Sequence, residues 1–194
     1  MGCKITKEFY IFNAIQLRQN TGTDMGLNIK RVKLKLGDIF VVRLDDCRKY
    51  FQYIADDMTM LNSSVIRAFK EKYSLDSTPD LKKVVNSEVE FYAHTSLRLG
   101  VKMGLWEKVG NNPNIGSIDH ILFRDSKDYG HGLGEEPVKI SSRWQVWRIN
   151  EDFRYVGKLQ GENRNAEIGI IKSPDGIVHR IKTGEYFGFY SGFE

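Results

Sequence analysis

The stretch Leu36-Gly37-Asp38-Ile39-Phe40-Val41-Val42-Arg43-Leu44-Asp45-Asp46-Cys47-Arg48-Lys49-Tyr50-Phe51-Gln52-Tyr53-Ile54-Ala55 decides the fold. Gly37-Asp38 has turn chemistry, with glycine free to take a positive φ and aspartate able to bond nearby backbone. Ile39 to Leu44 is almost unbroken apolar and β-branched sequence, as expected of a strand buried on both faces. Asp45-Asp46-Cys47-Arg48 then closes a hairpin onto the aromatic run Tyr50 to Ala55.

Upstream, Ile29 to Leu36 alternates. Val32, Leu34 and Leu36 fall on one side and Arg31, Lys33 and Lys35 on the other, which predicts a half-buried strand with a basic outer face. Asn20 to Gly26 is loop, and Tyr10 to Leu17 admits either a short strand or a turn of helix. Downstream, Ser63 to Phe69 is a further strand, with a helix as the rival. Ser77-Thr78-Pro79-Asp80 leads into a short helix over Leu81 to Val85. Val89 to Ala93 alternates as a strand that runs into Thr95-Ser96, good N-cap residues for a helix carrying Leu97 and Val101 that Gly104 stops. Leu105 to Val109 returns as strand, and Gly110 to Asn114 is loop. His120 to Phe123 can form a short strand before the irregular stretch Arg124 to Pro137. Trp144 to Ile149 and Phe153 to Leu159 make a second hairpin turned at Asn150-Glu151-Asp152, and Ile168 to Ile171 is another strand. Ser173-Pro174 opens a helix through Ile177 and Ile181 that Gly184 ends, with a type I turn at Ser173 to Gly176 as the rival.

The composition bounds the function class. In 194 residues, 41% are hydrophobic and 28% charged, enough apolar content for a real core in one domain or two small ones. A mean hydropathy of -0.41 and the lack of an apolar run near the ~20 residues of a bilayer span predict a protein outside the membrane. Twenty-nine basic against 25 acidic residues give a net charge of +4, too little for a dedicated nucleic-acid binder. Cys3 and Cys47 follow no disulfide or zinc spacing, so a reducing cytoplasm is the expected setting. Met1-Gly2-Cys3-Lys4-Ile5-Thr6 fits the short N-myristoylation pattern, but an ordinary N-terminus is expected, with neither signal peptide nor lipoprotein anchor.

Catalytic chemistry finds no motif. Cys47 has Arg43, Arg48 and Lys49 nearby to lower its thiol pKa, yet none of His94, His120, His131 and His179 is close in sequence. His120 and His131 share a loop region with Asp119, Asp125 and Asp128, without metal-ligand spacing. The Gly130 to Gly134 cluster lacks the lysine of a phosphate cradle. No enzyme activity, no metal and no cofactor are therefore expected. Lys30, Arg31, Lys33 and Lys35 beside Phe40, Tyr50, Phe51 and Tyr53 can form a nucleic-acid face. Outward lysines that block edge-to-edge pairing are the favoured reading of the same strand.

The segment from Leu36 to Ala55 resembles the opening of the bacterial immunity protein 26 family: Gly-Asp-[Ile/Val]-Phe, an apolar strand, an Asp-Gly hairpin and an aromatic-bearing return strand. Gly104-Leu105-Trp106-Glu107-Lys108-Val109-Gly110-Asn111 is similar to that family's later Trp-Lys-x-Ile-Gly segment. The family has glycine in the hairpin turn where Cys47 stands, which points to a longer loop here. The resemblance spans roughly residues 33–110. It implies an α+β, predominantly β fold: a curved antiparallel SH3-like sheet beginning near Ile29, with a few short helices. It also implies a cytoplasmic immunity protein that neutralises a cognate toxin domain by direct binding. A net positive chain is a poor nucleic-acid mimic, so local patches become the candidates. Asp45, Asp46, Asp56 and Asp57, at neighbouring ends of the first hairpin, and Trp106 of the second motif are the expected partner-binding residues. The runner-up is a nucleic-acid-binding SH3-like module that uses Lys30 to Lys35. The expected organisation is an immunity-like region over 1–124, a loop over 125–139, and a C-terminal hairpin and helix over 140–194 that either completes the sheet or forms a second small unit.

Overall fold

The computed structural model describes residues 33–126, 128 and 136–194. The chain divides after Arg31, and the second unit, Val32–Glu194, holds every element below. The expectations for Tyr10 to Leu17, for Lys30 and Arg31, for the N-terminal lipidation pattern and for the Gly130 to Gly134 cluster lie outside the described residues.

Among the described residues, nine strands build two sheets. The first runs in the order β4-β3-β2-β1-β5, from β1 (Asp38–Arg43), β2 (Arg48–Asp57), β3 (Ser63–Phe69), β4 (Val89–Thr95) and β5 (Glu107–Asn111). The second runs β8-β7-β6-β9, from β6 (Leu122–Ser126), β7 (Trp144–Arg148), β8 (Arg154–Gly157) and β9 (Glu167–Ile168). Every pairing is antiparallel except that of β9 with β6, which is parallel. Three α-helices lie among the described residues: α1 (Leu81–Val85), α2 (Leu97–Lys102) and α3 (Pro174–Thr183). The molecule is thus α+β and predominantly strand, and among the described residues no helix is long and apolar enough to cross a membrane.

Ile39 to Val42 of β1 are apolar without a break because both faces of the strand are covered. Phe40 and Val42 join Phe51, Ile66, Phe91, Trp106 and the α3 residues Ile177 and Ile181 in one core. Ile39 and Val41 join Tyr50, Phe69 and the α1 residues Val84 and Val85 in another. Helices therefore sit on opposite faces of the first sheet, and the strand between them has no solvent side.

Among the described residues the first sheet begins at Asp38; Ile29, the expected start, lies outside them. Lys33, Leu34 and Lys35 have no strand geometry, because local bonds take the groups a ladder would use: Lys35 N donates to Asp38 Oδ2 at 2.8 Å, and Asp38 N donates to Lys35 O at 3.0 Å. Gly37 sits at φ +87°, where a Cβ would stand 2.4 Å from Asn112 O. Its own carbonyl accepts Asn112 N at 2.9 Å, so the turn is locked to the loop after β5. Asp38 is fully buried and receives Asn111 Nδ2 and Lys108 Nζ, a structural role for the Gly-Asp pair.

β6 includes both Arg124 and Asp125, so the second sheet draws on chain from either side of the boundary expected at residue 124. The C-terminal stretch adds no strand to the first sheet and lies in the same unit as the rest of the described chain. β7, β8 and β9 build the second sheet, while α3 returns to cover the first. Ser173 caps α3 by accepting Gly176 N at 3.2 Å, and Gly184 ends it at φ +86°, which settles the helix over the turn.

Candidate functional site

The last residue of β2, Asp57, is fully buried between the two sheets. Its Oδ1 accepts the backbone N–H of Thr59 and that of Asn150, each at 3.0 Å. Its Oδ2 accepts Trp147 Nε1 at 3.2 Å and lies 2.9 Å from His94 Nε2. Four donors fill roughly all the lone-pair positions a carboxylate has. His94, also fully buried, belongs to β4, while Trp147 and Asn150 belong to β7 and the turn after it, so this carboxylate bolts one sheet to the other.

Burial pushes the His94 imidazole below its ordinary pKa, against the opposing pull of Asp57. The ring is therefore neutral at neutral pH and donates its Nε2–H to the carboxylate. Phe123 packs 4.1 Å from it, centroid to centroid, and Trp147 lies beyond. A His–Asp pair sealed in this way fixes geometry and is closed to a substrate.

What Asp57 positions is exposed. A 3-10 turn, Met58–Met60, follows it, and Leu61 and Asn62 then both take positive φ to bring the chain back into β3. Met58 N donates to Asn150 Oδ1 at 2.8 Å and Thr59 Oγ1 to Glu151 O at 2.9 Å, which ties this turn to the one between β7 and β8. Asn150 also has positive φ. Met60 turns inward against the inter-sheet core, whereas Met58 is 70% exposed and Leu61 86%. Phe153, three residues after Asn150 on the partner turn, is 46% exposed and edge-on to Trp147 at 4.8 Å. Glu151 and Asp152 are exposed acids on the same turn. The result is an apolar corner with an acidic flank, held by backbone bonds to a buried carboxylate.

The five residues expected to bind a partner do not converge. β2 is 10 residues long, so Asp45 and Asp46 at one end stand roughly 30 Å along the chain path from Asp56 and Asp57 at the other, at about 3.3 Å per residue. The expected single patch at neighbouring hairpin ends is corrected accordingly. Asp45 is exposed and paired with Lys182 of α3 at 2.6 Å. Asp46 is exposed and, with burial, holds the Cys47 thiol above its ordinary pKa. That reverses the influence expected of Arg43, Arg48 and Lys49, the last of which is buried against Glu90. Asp56 is exposed and accepts Tyr53 Oη at 2.6 Å. Trp106 is 3% exposed, donates Nε1 to Leu97 O at 3.0 Å and packs edge-on to Phe51, a core residue with no outward surface.

Of the basic run, Lys33 and Lys35 are exposed on coil and Lys30 and Arg31 lie outside the described residues. His120 is exposed with Nε2 3.2 Å from Tyr92 Oη, and His131 is not among the described residues. Among the described residues no group of three or more His, Cys, Asp or Glu side chains is arranged to hold a metal ion. Met58, Leu61 and Phe153 were not singled out by pattern. The signal was present in Met58-Thr59-Met60-Leu61, three large apolar side chains in a strand connection where turn residues are the rule. Comparison with protein-family models, with curated proteins and with solved structures finds no match to this chain.

Proposed function

We propose that the chain is a binding protein that docks a protein partner on the corner formed by Met58, Leu61 and Phe153, and that the partner is a bacterial toxin domain it neutralises. The observation that carries this reading is the exposure of Met58 and Leu61 on turns whose backbone is anchored to buried Asp57. Methionine and aromatic side chains are enriched in protein interfaces, and an anchored loop loses little freedom on binding. Glu151 and Asp152 favour a partner whose facing rim is basic, and like-charged competitors are repelled. The toxin, and with it the immunity role, comes from the resemblance of Leu36 to Ala55 and Gly104 to Asn111. Bulges between Ile39 and Phe40, Tyr53 and Ala55, and Ala68 and Phe69 bend the first sheet and support an SH3-like curl.

The test is neutralisation in growing cells. Proteins captured by the wild-type chain from its native host, but not by Leu61→Asp, are expressed singly in a sensitive host. The reading expects one that arrests growth and is rescued by co-expressed wild type, with rescue lost in Leu61→Asp. Capture of nucleic acid instead, weakened by salt and by Lys33→Glu with Lys35→Glu, would overturn it in favour of the nucleic-acid module.

A further inference from the structure

Residues 191–194 lie along residues 138–141 in the manner of an added strand. Gly192 bridges Ile140 in parallel: its N–H donates to Lys139 O at 2.8 Å and its carbonyl accepts Ser141 N at 2.9 Å, while Ser191 Oγ donates to Val138 O at 2.7 Å. A Cβ at Gly192 would stand 3.3 Å from Ile140 Cδ1, so this position favours a small residue. Phe193 packs on the cluster of Leu122, Trp144 and Leu159, edge-on to the Trp144 ring with centroids 6.2 Å apart. The guanidinium groups of Arg124 and Arg164 stand 4.6 and 4.9 Å from its ring centroid. Glu194 Oε2 accepts Lys158 Nζ at 2.5 Å, and the Glu194 carbonyl accepts Arg164 Nη1.

This segment is a loosely held occupant. Both side chains of the Lys158–Glu194 pair are mostly exposed, so water screens their attraction. Residues 185–190, which lead to the segment from α3, form neither helix nor strand, and Gly184 and Gly188 there have positive φ. A cavity of about 620 Å³ stays open beside it, lined by Ile140, Ser141, Lys158, Leu159 and Arg164 as well as by Phe193 and Glu194. Among the described residues that line it, Lys158 and Arg164 are the cations and Glu194 the one acid. Emptied of residues 191–194, the groove therefore presents two positive charges and uncovers part of the Trp144 ring.

We propose that this groove is a docking site for an extended segment of a partner protein that presents a small residue, an aromatic ring and an acidic side chain in succession, and that residues 191–194 are an internal occupant which such a segment displaces. Strand addition supplies affinity through backbone bonds to Lys139 and Ser141, and the side chains that follow supply the choice of sequence. The aromatic ring takes the place on Trp144 beside the two guanidinium groups, and the acid takes Lys158. An occupant tethered to its own site competes at an effective concentration of about millimolar, so a partner segment binds weakly until the internal one is loosened. None of the lining residues belongs to the corner of Met58, Leu61 and Phe153, so this site does not rest on that corner's role.

The experiment follows the fluorescence anisotropy of a dye-labelled, amide-capped Ser-Gly-Phe-Glu peptide titrated with the full chain. Phe193→Ala, which vacates the ring's place, is expected to bind the peptide roughly ten times as tightly as wild type or more. In that variant Ser-Gly-Ala-Glu and Ser-Gly-Phe-Gln peptides are each expected to bind about threefold or more weakly than Ser-Gly-Phe-Glu. Adding Lys158→Glu is expected to turn the preference from Ser-Gly-Phe-Glu to Ser-Gly-Phe-Lys. Glu194→Lys, at an exposed position where it repels Lys158, is expected to gain about threefold over wild type. It keeps the proposal testable if Phe193→Ala does not fold. No binding to either variant, equal binding of the three peptides, or the same affinity in wild type and both variants would overturn the proposal. A wild-type dimer that Phe193→Ala dissociates would also overturn it, by assigning the groove to the same segment of a second copy.

Discussion

Gly100 is a single position where two local rules oppose each other. It lies inside α2, where alanine ordinarily favours the helix by about 1 kcal/mol over glycine. A Cβ there would stand 2.0 Å from Trp106 Cζ2, a ring held in place by its bond to Leu97 O and its contact with Phe51. Overpacking a filled core costs roughly 1–3 kcal/mol, which exceeds the helix gain. Gly100→Ala is therefore expected to be destabilised by up to about 2 kcal/mol net, read as a lower urea midpoint with an unchanged slope. A variant as stable as wild type would show that the indole can move aside. Trp106 is legible in the sequence as an important residue, but its burial is not. Its spacing from Gly100 carries meaning only once the helix has folded over the ring.

Among the elements, α3 was readable from its ends. Ser173, Pro174 and Gly184 are a start and a stop, and Ile177 and Ile181 four residues apart mark the buried stripe. Removing the cap by Ser173→Ala is expected to cost about 1 kcal/mol of stability and to speed amide hydrogen exchange in the first turn of α3 before the rest of the chain. Exchange unchanged at Gly176 and Ile177 would count against the cap's role. The predicted strand from Ile29 to Leu36 had equally good alternation, yet Lys33 to Lys35 carry no ladder. Periodicity reports which side chains share a face. It does not report whether a neighbouring strand has free backbone groups, and here Tyr53 O accepts Gly37 N while Asp38 captures Lys35 N. β9 is similarly cut to two residues, as Gly169 brings its backbone against the Trp147 ring, where a Cβ would stand 2.1 Å away.

For the whole molecule, the joint between the sheets should make stability depend on pH. Folded His94 has its pKa depressed by burial, so the unfolded chain, near the ordinary 6.5, binds a proton that the native chain refuses. Stability is expected to be full above about pH 6.5 and to fall as pH drops below it toward the folded value. Urea unfolding of wild type and of His94→Gln between pH 5 and 8 checks this, with the variant less stable throughout but lacking that part of the slope. Equal slopes would place the titration elsewhere. The sequence alone determined the local geometry: the buried hairpin of β1 and β2, the turn at Gly37-Asp38, the capped ends of α3 and the predominance of strand. Each of these is written in residues that are neighbours along the chain. Only the tertiary structure divided the strands into two sheets, paired β9 with β6 in parallel, turned Asp57 from a surface candidate into a buried joint, and set Met58 beside Asn150, 92 residues away. The reason is physical. An apolar pattern specifies that a face will be buried, and a polar residue that it needs partners, but neither names the distant groups that meet them until the chain has closed on itself.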